Sequence, residues 1–387
     1  MLTSALNPNN GEPAFSVERK HARESGVAEI LVLGGYGNFG KRIVELLVRQ
    51  QFNVIIAGRN RTKAAALAEQ LRPDVVQIAV FDVRRDLDAY LQGQKAAIVI
   101  NTVGPFQSLD YEAAKICMNH GIPYIDLADG RDYVAGIGSL DQEAKAKDTV
   151  VISGASTVPA LTSAVVEHYL NDFGQIHFLD FGIAPGQRTE RGLATTKAIL
   201  GYAGRKLKPS VGYPERYGWQ DTHRRRYPVI GSRWMSNCDV PDLDLLPPRY
   251  GIERIRFSAG MEVPVIHFGI WSLSWLVRMG FPLDLTKMAE PLLKLSDLFD
   301  VFGSADGGMH IVLEGRAHDG HPMERSWFII AKGAHGPYIP AVPAVVVAKK
   351  ILSGELSSNG AMACVGLMTL KEFLAEVKHL EITTYNL

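Results

Sequence analysis

The sequence predicts an α/β fold in which a doubly wound parallel sheet is followed by a second, mixed α+β domain. Up to Pro159, short apolar runs alternate with helical patterns, as in parallel strands joined by right-handed crossover helices. After Pro159, strands of alternating or apolar character appear, and the segment 318–322, which contains Asp319-Gly320, indicates the loop of a β-hairpin. We predict four segments: a flexible arm over residues 1–27, the parallel-sheet domain over 28–160, the α+β domain over 161–340, and C-terminal helices over 341–387 that pack back on the first domain.

The composition is that of an ordinary soluble globular protein. Of 387 residues, 47% are hydrophobic and 21% are charged, and the formal net charge is zero, so neither nucleic acid nor an anionic membrane is an expected partner. The three cysteines are far apart and form no C-x-x-C pair, which argues against a zinc site or a disulfide framework and fits a reducing compartment. We therefore predict a cytoplasmic protein without a metal site.

One apolar segment, Val263 to Phe281, needs a test against a membrane span. Its length is marginal for crossing a bilayer, and it contains His267 and Arg278. Gly269 and Gly280 interrupt it. We predict a buried strand that runs into a helix, and no membrane span.

The first domain is organised around Glu29 to Arg61. A buried strand leads into a turn with glycines at positions 35, 37 and 40, and an amphipathic helix and a second buried strand follow. In this context the first glycine permits the tight turn, the second lets the backbone approach a pyrophosphate, and the third lets the helix pack closely. Free N–H groups at the helix N-terminus also favour phosphate. The pattern predicts a Rossmann dinucleotide-binding domain; the alternative is a glycine-rich turn without a ligand.

The end of the second strand distinguishes between the two nicotinamide dinucleotides. NAD sites usually place Asp or Glu there to bind the ribose 2′-hydroxyl, but this chain reads Ala57-Gly58-Arg59-Asn60-Arg61. Guanidinium groups form charge-assisted, forked hydrogen bonds with a 2′-phosphate, so the sequence favours NADP(H). The alternative is that these arginines are solvated residues that cap the next helix. The predicted cofactor contacts are Gly35, Tyr36, Gly37, Asn38, Phe39, Gly40, Arg59, Asn60, Arg61, Asp82, Val83, Thr102, Val103, Gly104 and Pro105.

The rest of the first domain continues the alternation of strand and helix. Because ligands of such sheets lie outside the carboxyl ends of the strands, the loops 34–40, 101–107, 126–133 and 153–159 should converge on one site. The predicted strands are Val75–Val83, Ala96–Val103, Pro123–Leu127 and Thr149–Ser153, and the predicted helices are Thr62–Leu71, Asp110–His120 and Leu140–Ala146.

Beyond Pro159 the sequence predicts the substrate domain. Between Lys206 and Tyr250 there is little periodicity, and we interpret this stretch as an extended loop that could form a lid or an interface. The predicted strands are His177–Ala184, Arg254–Ala259, Met309–Ala317 and Glu324–Ala331. The predicted helices are Ala160–Leu170, Leu193–Arg205, Leu285–Leu298, Ala341–Leu352 and Leu370–Lys378.

Several runs, taken in order, resemble a known family. LGGYGNFGKRIVELL, AGRNRTKAAALAEQL, NTVGPF, PYIDLADGRDYV and SGASTVPALTSAVV are similar to the NADP-binding domain of saccharopine dehydrogenase-like oxidoreductases. GMHIVLEGRAHDG and HGPYIPAVPAVVVAKKI resemble the second part of the bacterial members. The resemblance implies a Rossmann domain with an inserted α+β domain, a homodimer through that domain's sheet, and hydride transfer between NADP(H) and a small-molecule substrate in the cleft.

The chain departs from the family after the fifth strand. Saccharopine-forming members usually carry Tyr-x-Asp followed by a Thr-Gly-Glu-like segment, whereas here Tyr124-Ile125-Asp126 continues as Leu127-Ala128-Asp129-Gly130-Arg131. Saccharopine itself is therefore not the expected substrate. Relatives that reduce carbon–carbon or carbon–nitrogen double bonds leave the bond type open.

Candidate proton donors and anchors follow the strands or lie in the second domain. We predict Asp126, Tyr133, His335 and Tyr338 as catalytic residues, because a His or Tyr can protonate the atom beside the one that receives hydride. Each has a structural alternative: a carboxylate that caps a turn, a core aromatic, or a loop residue without a role. Further candidates are Asp129, Arg131, Thr157, His267 and His310.

Two functions remain open. The first is an NADP(H)-dependent oxidoreductase that acts on a small or apolar substrate, and the second is a non-catalytic NADP(H)-binding sensor or scaffold. No G-x-S-x-G nucleophile elbow is present, since Gly154-Ala155-Ser156-Thr157 lacks that form, which disfavours a hydrolase. A proton donor beside an open nicotinamide pocket would favour the enzyme.

Overall fold

The computed structural model describes residues 28–93, 96–104, 106 and 110–387. The predicted arm over residues 1–27 and the predicted cofactor contact Pro105 lie outside this part of the chain. Two seven-stranded sheets organise the described residues. The first sheet is parallel throughout and the second is mixed, so the predicted α/β class with a second α+β domain is confirmed.

The elements are numbered in chain order. The strands are β1 (Glu29–Leu33), β2 (Asn53–Gly58), β3 (Val76–Val80), β4 (Ile98–Asn101), β5 (Tyr124–Asp126), β6 (Val150–Ser153), β7 (Gln175–Ala184), β8 (His223–Tyr227), β9 (Gly231–Asn237), β10 (Arg254–Met261), β11 (Gly307–Arg316), β12 (Pro322–Ala331), β13 (Gly360–Ala363) and β14 (Ile382–Asn386). The helices are α1 (Asn38–Arg49), α2 (Arg61–Leu71), α3 (Val83–Gln92), α4 (Glu112–Asn119), α5 (Arg131–Gly136), α6 (Asp141–Ala146), α7 (Thr162–Tyr169), α8 (Leu193–Tyr202), α9 (Asp242–Tyr250), α10 (Pro264–Arg278), α11 (Ala289–Asp297), α12 (Val342–Leu352) and α13 (Leu370–Val377).

The first sheet has the strand order β3-β2-β1-β4-β5-β6-β13, which is the Rossmann order with one strand added beside β6. Both of its faces are buried because its strands are apolar at nearly every position. Ile30 and Val32 belong to the core that includes α1, α2 and α12, whereas Leu31 and Leu33 point into the opposite core with α3 and α4. This packing leaves the turn 34–40 at the carboxyl end of β1, between β2 and β4.

The third strand is shorter than the predicted Val75–Val83. It ends at Val80, and Val83 begins α3, a helix that the sequence analysis did not predict. Asp82 caps this helix, since its side chain accepts a hydrogen bond of 3.1 Å from the backbone N–H of Arg84. The capping signal was present in the sequence and was read as a strand end.

The second sheet has the order β14-β12-β11-β7-β10-β9-β8. Strands β11 and β12 pair antiparallel from Gly307↔Ala331 to Arg316↔Pro322, which confirms the predicted hairpin. At the centre, β7 pairs parallel with β10 and antiparallel with β11. The sheet thus joins segments far apart in the chain.

The interpretation of Lys206–Tyr250 as an extended loop was wrong. This segment contains the β8–β9 hairpin and helix α9. In β8, Arg224 and Arg226 are exposed, while Arg225 reaches the buried carboxylate of Asp180 on β7. The inward positions of β8 are therefore charged or polar, and the apolar alternation that marks a half-buried strand is missing.

The apolar run Val263–Phe281 forms one helix, α10, and not a strand followed by a helix. Its buried residues are His267 and Ser274, which lie on one narrow stripe. Val265 and Met279 are 64% and 62% exposed, so this helix lies at the surface of the described molecule. In the described part of the chain, no helix is long and apolar enough to cross a membrane.

The C-terminal segment contributes to both sheets. Helix α12 contacts α1 and the strands β4 and β5, which places it on the first domain. The segment also contains two strands that the sequence analysis missed: β13 pairs with β6 in the first sheet, and β14 pairs with β12 in the second. The C-terminal segment therefore contributes one strand to each sheet. The boundaries of the four predicted segments remain a prediction.

Candidate functional site

A cleft of about 680 Å³ opens at the carboxyl ends of β1 to β4. One wall is the glycine turn with the start of α1, and the opposite wall is the start of α8 from the second domain. The lining residues are Gly34, Tyr36, Gly37, Asn38, Phe39, Gly58, Arg59, Asp82, Val83, Arg84, Arg85, Thr102, Val103, Gly104, Gly192, Leu193, Ala194 and Thr195. The cleft thus brings together most of the residues predicted to contact a cofactor.

The glycine turn is suited to an anion. The N–H groups of Asn38, Phe39 and Gly40 at the start of α1 have no acceptor among the described residues. A Cβ atom on Gly37 would lie 3.0 Å from the carbonyl oxygen of Gly34, and one on Gly40 would lie 2.3 Å from the same atom. The start of α1 thus packs too closely on the turn for a side chain at Gly40, and the helix dipole adds positive potential at the free N–H groups. These features fit a dinucleotide pyrophosphate.

The adenosine end of the cleft is lined by cations. The Arg59 side chain is 79% exposed and lies 3.8 Å from a carboxylate oxygen of Asp82. Arg84 and Arg85 from the first turn of α3 line the same end, and Arg85 forms a forked pair with Asp86. The sequence analysis missed both, because it placed them after a strand and not at the start of a helix. Three arginines therefore line this end of the cleft, and guanidinium is a group that binds phosphate.

Asn60 and Arg61 behave differently from Arg59. The Asn60 side chain caps α2, accepting a hydrogen bond of 2.9 Å from the N–H of Lys63, and its own N–H donates to the Tyr36 hydroxyl. Arg61 is the first residue of α2 and does not line the cleft as described. Asn60 thus caps α2 and Arg61 begins it, and their contact with the cofactor remains a prediction.

Thr102 holds the glycine turn against β4. Its hydroxyl donates to the carbonyl oxygens of Leu33 and Gly34, at 2.8 and 3.2 Å. A Cβ atom on Gly34 would lie 2.8 Å from this hydroxyl oxygen, and Gly34 has a φ of +73°, so only glycine suits this position. Thr102 therefore shapes the floor of the cleft.

Asp126 ends β5 and is fully buried. Its Oδ1 atom accepts hydrogen bonds from the Ser153 hydroxyl at 2.8 Å and from the N–H groups of Gly154 and Ala128 at 3.0 Å. Its Oδ2 atom has no hydrogen-bond partner within the described chain. Burial raises the pKa of Asp126 to about 6, and these hydrogen bonds oppose that rise. Asp126 thus fastens the ends of β5 and β6 and carries a carboxyl group that titrates near neutral pH.

Tyr133 lies on α5 and is 8% exposed. Its ring packs against Tyr111 and Phe106, with centroid distances of 4.7 and 5.6 Å. Burial raises the pKa of Tyr133, and the negative charge of Asp126 raises it further. The phenol is therefore neutral at physiological pH and close enough to Asp126 to sense its charge.

Arg131 is engaged by the second domain. Its guanidinium donates to the carboxylates of Asp239 and Asp244, at 2.8 and 2.5 Å, and to the carbonyl oxygens of Lys208 and Pro209. The side chain is 2% exposed. Both terminal nitrogens of Arg131 thus bond to protein partners in and before α9, whereas its buried Nε atom has no partner among the described residues.

His335 and Tyr338 lie beyond the described lining of the cleft. The Tyr338 hydroxyl donates to the carboxylate of Glu45 on α1, and His335 Nδ1 accepts a hydrogen bond of 3.0 Å from the N–H of Glu381. The two rings contact each other edge to face. The structure therefore brings this pair together against α1, apart from Asp126 and Tyr133, and their catalytic role remains a prediction.

The other candidates are in the interior. His267 and His310 are fully buried, and burial lowers their pKa values to about 4 and about 3. His267 bonds to the Ser236 hydroxyl at 3.0 Å, which matches the core-histidine alternative. Thr157 is buried in the turn that precedes α7.

Comparison with known proteins is consistent with this geometry. Residues 30–152 match the family model described as the saccharopine dehydrogenase NADP binding domain. Apo histidine-tagged saccharopine dehydrogenase (L-Glu forming) from Saccharomyces cerevisiae has a TM-score of 0.64 at 13% identity, covering 94% of this chain and 100% of that chain. A search of curated proteins finds no significant match.

Two further solved structures are similar over most of the chain. Amine dehydrogenase from Mycobacterium smegmatis has a TM-score of 0.46 at 13% identity, covering 89% of this chain and 96% of that chain. A meso-dapdh mutant with DAP from Clostridium tetani has a TM-score of 0.47 at 12% identity, covering 91% and 98%. Both superpose too loosely to carry an argument. Residues 30–152 are therefore a saccharopine dehydrogenase-type domain for NADP, and the chain as a whole is saccharopine dehydrogenase-like in its fold.

Proposed function

We propose that this protein is an NADP(H)-dependent oxidoreductase that transfers hydride to or from a small or apolar substrate in the cleft between the two domains. One observation supports this most directly: the wall of the cleft opposite the glycine turn comes from α8 of the second domain. A substrate domain that covers the cofactor can position a second molecule and exclude water. Saccharopine itself is not the proposed substrate, because the segment after Asp126 departs from the family pattern.

The division of labour follows from the residues. NADP(H), when bound, supplies or accepts the hydride. The glycine turn binds the pyrophosphate, Arg59 with Arg84 binds the 2′-phosphate, and Thr102 with Val103 forms the floor. Asp126 ends β5 and Tyr133 follows in α5, and neither belongs to the described lining of the cleft. They are the proposed proton-handling pair because they lie at the carboxyl end of the sheet, and because the carboxyl has a pKa of about 6 and the phenol is neutral. A homodimer through the second sheet belongs to the same proposal.

The test is NADPH oxidation against a substrate panel. The first group should be imines formed from an amine and a carbonyl compound, since the fold match is to an L-glutamate-forming dehydrogenase, and the second should be enones. We expect turnover that Asp126→Asn and Tyr133→Phe each reduce by roughly 10²–10⁴-fold while NADPH affinity is kept. Tyr111→Phe, a neighbouring ring that packs on Tyr133, serves as the matched control.

The alternative is a non-catalytic NADP(H) sensor. It is favoured by the engagement of candidate polar groups in protein contacts, such as Tyr338 with Glu45 and Arg131 with two aspartates. Tight NADPH binding without turnover of either substrate group would support the sensor and count against the enzyme. Weak turnover that Asp126→Asn and Tyr133→Phe leave unchanged would also count against the proposed enzyme mechanism.

Arg59→Ala should weaken NADPH selectively. Arg59 lines the cleft, and losing its charged contact to the 2′-phosphate should raise the Kd for NADPH roughly tenfold, about 1.4 kcal/mol, a figure kept modest because the side chain is largely exposed. The Kd for NADH should change little. Titrations followed by nicotinamide fluorescence measure both values.

Arg61→Ala is the matched control for this prediction. It removes the same charge two residues away, at the start of α2 and outside the described lining. Arg59→Ala and Arg84→Ala should each raise the Kd for NADPH more than Arg61→Ala does. An equal loss of NADH and NADPH affinity in Arg59→Ala would refute a 2′-phosphate role.

A further inference from the structure

A strap from the second domain crosses to the glycine turn. We define the strap as residues 187–195, which leave β7 and lead into α8. Glu190 is its point of contact with the first domain. The Glu190 carboxylate lies 2.8 Å from Lys41 Nζ and 3.3 Å from the guanidinium of Arg42, and its main-chain carbonyl accepts a hydrogen bond of 3.1 Å from the Asn38 side chain.

The first-domain partners are themselves ordered by one another. The Arg42 guanidinium also donates to the Asn38 side-chain oxygen at 2.6 Å, so Asn38, Arg42 and Glu190 form a closed ring of contacts. Asn38 is the first residue of α1 and lines the cleft. The contacts that hold Glu190 in place therefore also hold the Asn38 side chain, which faces the cleft.

The other anchor of the strap is in the second domain. Arg191 donates to the carboxylates of Asp297 and Asp300, at 2.7 and 2.8 Å. The Gln187 amide donates to Asp300 at 2.9 Å, and its backbone N–H donates to Glu262 at 2.8 Å. The strap is therefore fixed to its own domain by several buried or half-buried contacts, but to the first domain by the Glu190 contacts.

Electrostatics indicates that these Glu190 contacts can open. The Glu190 and Lys41 side chains are 47% and 33% exposed. Burial raises the pKa of Glu190, but the hydrogen bond and charge of Lys41 outweigh it, so the pKa lies below its ordinary value and the carboxylate is charged at neutral pH. Salt screens exposed pairs of this kind. The strap is thus held to the first domain by a solvent-exposed ion pair together with the hydrogen bond from Asn38.

We propose that Glu190 is a positioning residue for the dinucleotide: it clasps the strap to the start of α1, so that residues 192–195 close the cleft, and bound nucleotide leaves when the clasp opens. The residues beyond Glu190, Gly192 to Thr195, form the wall that faces Asn38. The clasp acts through that wall and through Asn38. The proposal concerns how long the cofactor stays bound, so its test does not depend on the identity of the substrate.

The test measures nucleotide release from the full chain. Wild-type protein and Glu190→Gln are loaded with NADPH, and the dissociation rate is followed by loss of nicotinamide fluorescence after mixing with excess NADP. We expect release about two- to fivefold faster in Glu190→Gln, the range for a partly exposed ion pair. Added salt should speed release in the wild type more than in the variant, because the variant no longer has the charge contact.

A second readout needs no nucleotide. Amide hydrogen exchange across residues 187–195 should be faster in Glu190→Gln than in the wild type, while exchange in β1 and α1 beyond its first turn should be unchanged. Glu190→Asp, which retains the charge on a shorter side chain, should fall between the two in both measurements.

Glu143→Gln is the matched control. Glu143 pairs with Lys147 at 3.9 Å on α6 and is 46% exposed, but it lies outside the described lining of the cleft. It should behave as wild type. The proposal is overturned if Glu190→Gln releases NADPH no faster than Glu143→Gln, or if the strap exchanges its amides equally in all variants.

Discussion

Gly37→Val is expected to abolish dinucleotide binding while the protein stays folded. Gly37 precedes α1, and the N–H groups that follow it have no acceptor in the described structure. A branched side chain here would occupy the space through which a pyrophosphate reaches those N–H groups. We expect the Kd for NADPH to rise on the order of a hundredfold or more, about 3 kcal/mol, in a fluorescence titration.

Substitutions at two other glycines distinguish a loss of NADPH binding from a loss of stability. A Cβ atom at Gly37 meets one atom, the Gly34 carbonyl oxygen, at 3.0 Å, whereas at Gly40 it would lie 2.3 Å from that oxygen and 2.8 Å from Gly35 Cα. Gly40→Ala should therefore lose both binding and stability. Gly269→Ala, inside α10, where an added Cβ has no atom within 4 Å, should leave NADPH binding unchanged and raise stability by up to about 1 kcal/mol. Undiminished NADPH binding by Gly37→Val would remove the turn from the site.

Asp180→Ala is expected to cause the largest loss of stability. Asp180 is 1% exposed, and its carboxylate accepts two hydrogen bonds of 2.7 Å from Arg256 as well as one from Arg225. Removing it leaves two partly buried guanidinium groups without their acceptor. We expect the free energy of unfolding to fall by about 3 kcal/mol, toward the low end for a broken buried pair because both arginines are partly exposed. Urea unfolding followed by tryptophan fluorescence reports on this domain, since all five tryptophans lie between 219 and 327.

The same carboxylate should make stability depend on pH. Burial raises the pKa of Asp180, but the hydrogen bond from Arg256 and the positive charges of Arg256 and Arg225 outweigh burial, so the pKa lies below its ordinary value. Its stabilising contribution is therefore complete above the unfolded pKa, about 3.9, and is lost as the pH falls through the folded pKa. Asp180→Asn should remove this acid-side loss.

Asp172→Ala is the control for Asp180. Asp172 pairs with Arg325 at 2.8 Å, but both side chains are about 40% exposed, at 41% and 38%. Its removal should cost less than about 1 kcal/mol. If Asp180→Ala cost no more than this, the buried ion pairs of Asp180 with Arg256 and Arg225 would not be what stabilises the second sheet.

The contrast between β8 and the glycine turn explains where prediction from sequence succeeds. The turn is encoded within a few residues, because the backbone approach at Gly37 and the close packing at Gly40 involve only neighbouring residues. The strand His223–Tyr227 depends instead on a distant partner. Arg225 faces inward because Asp180, 45 positions earlier, neutralises its charge. The sequence therefore predicted an extended loop here, although residues 223–227 form a strand.

The candidate site divides in the same way. Local pattern sufficed for the residues of β1, α1 and the end of β2, which form one wall of the cleft. The opposite wall, Gly192 to Thr195, and the Glu190 clasp depend on contacts across about 150 residues, since Glu190 meets Arg42 and Asn38. The hydrophobic periodicity of the sequence does not indicate contacts between residues so far apart. The strands β13 and β14 were missed for the same reason, because four or five residues become a strand only when a sheet edge is there to pair with them.

By itself, the sequence determined the fold class, the dinucleotide turn, the preference for NADP(H) and the β11–β12 hairpin, because burial periodicity and glycine geometry act over a few neighbouring residues. The tertiary structure alone decided that Arg84 and Arg85 join Arg59, that Asn60 caps a helix, that Arg131 is held by Asp239 and Asp244, and that residues 192–195 of the second domain line the cleft. These are pairings between distant segments, and their partners are selected by the packing of the whole chain.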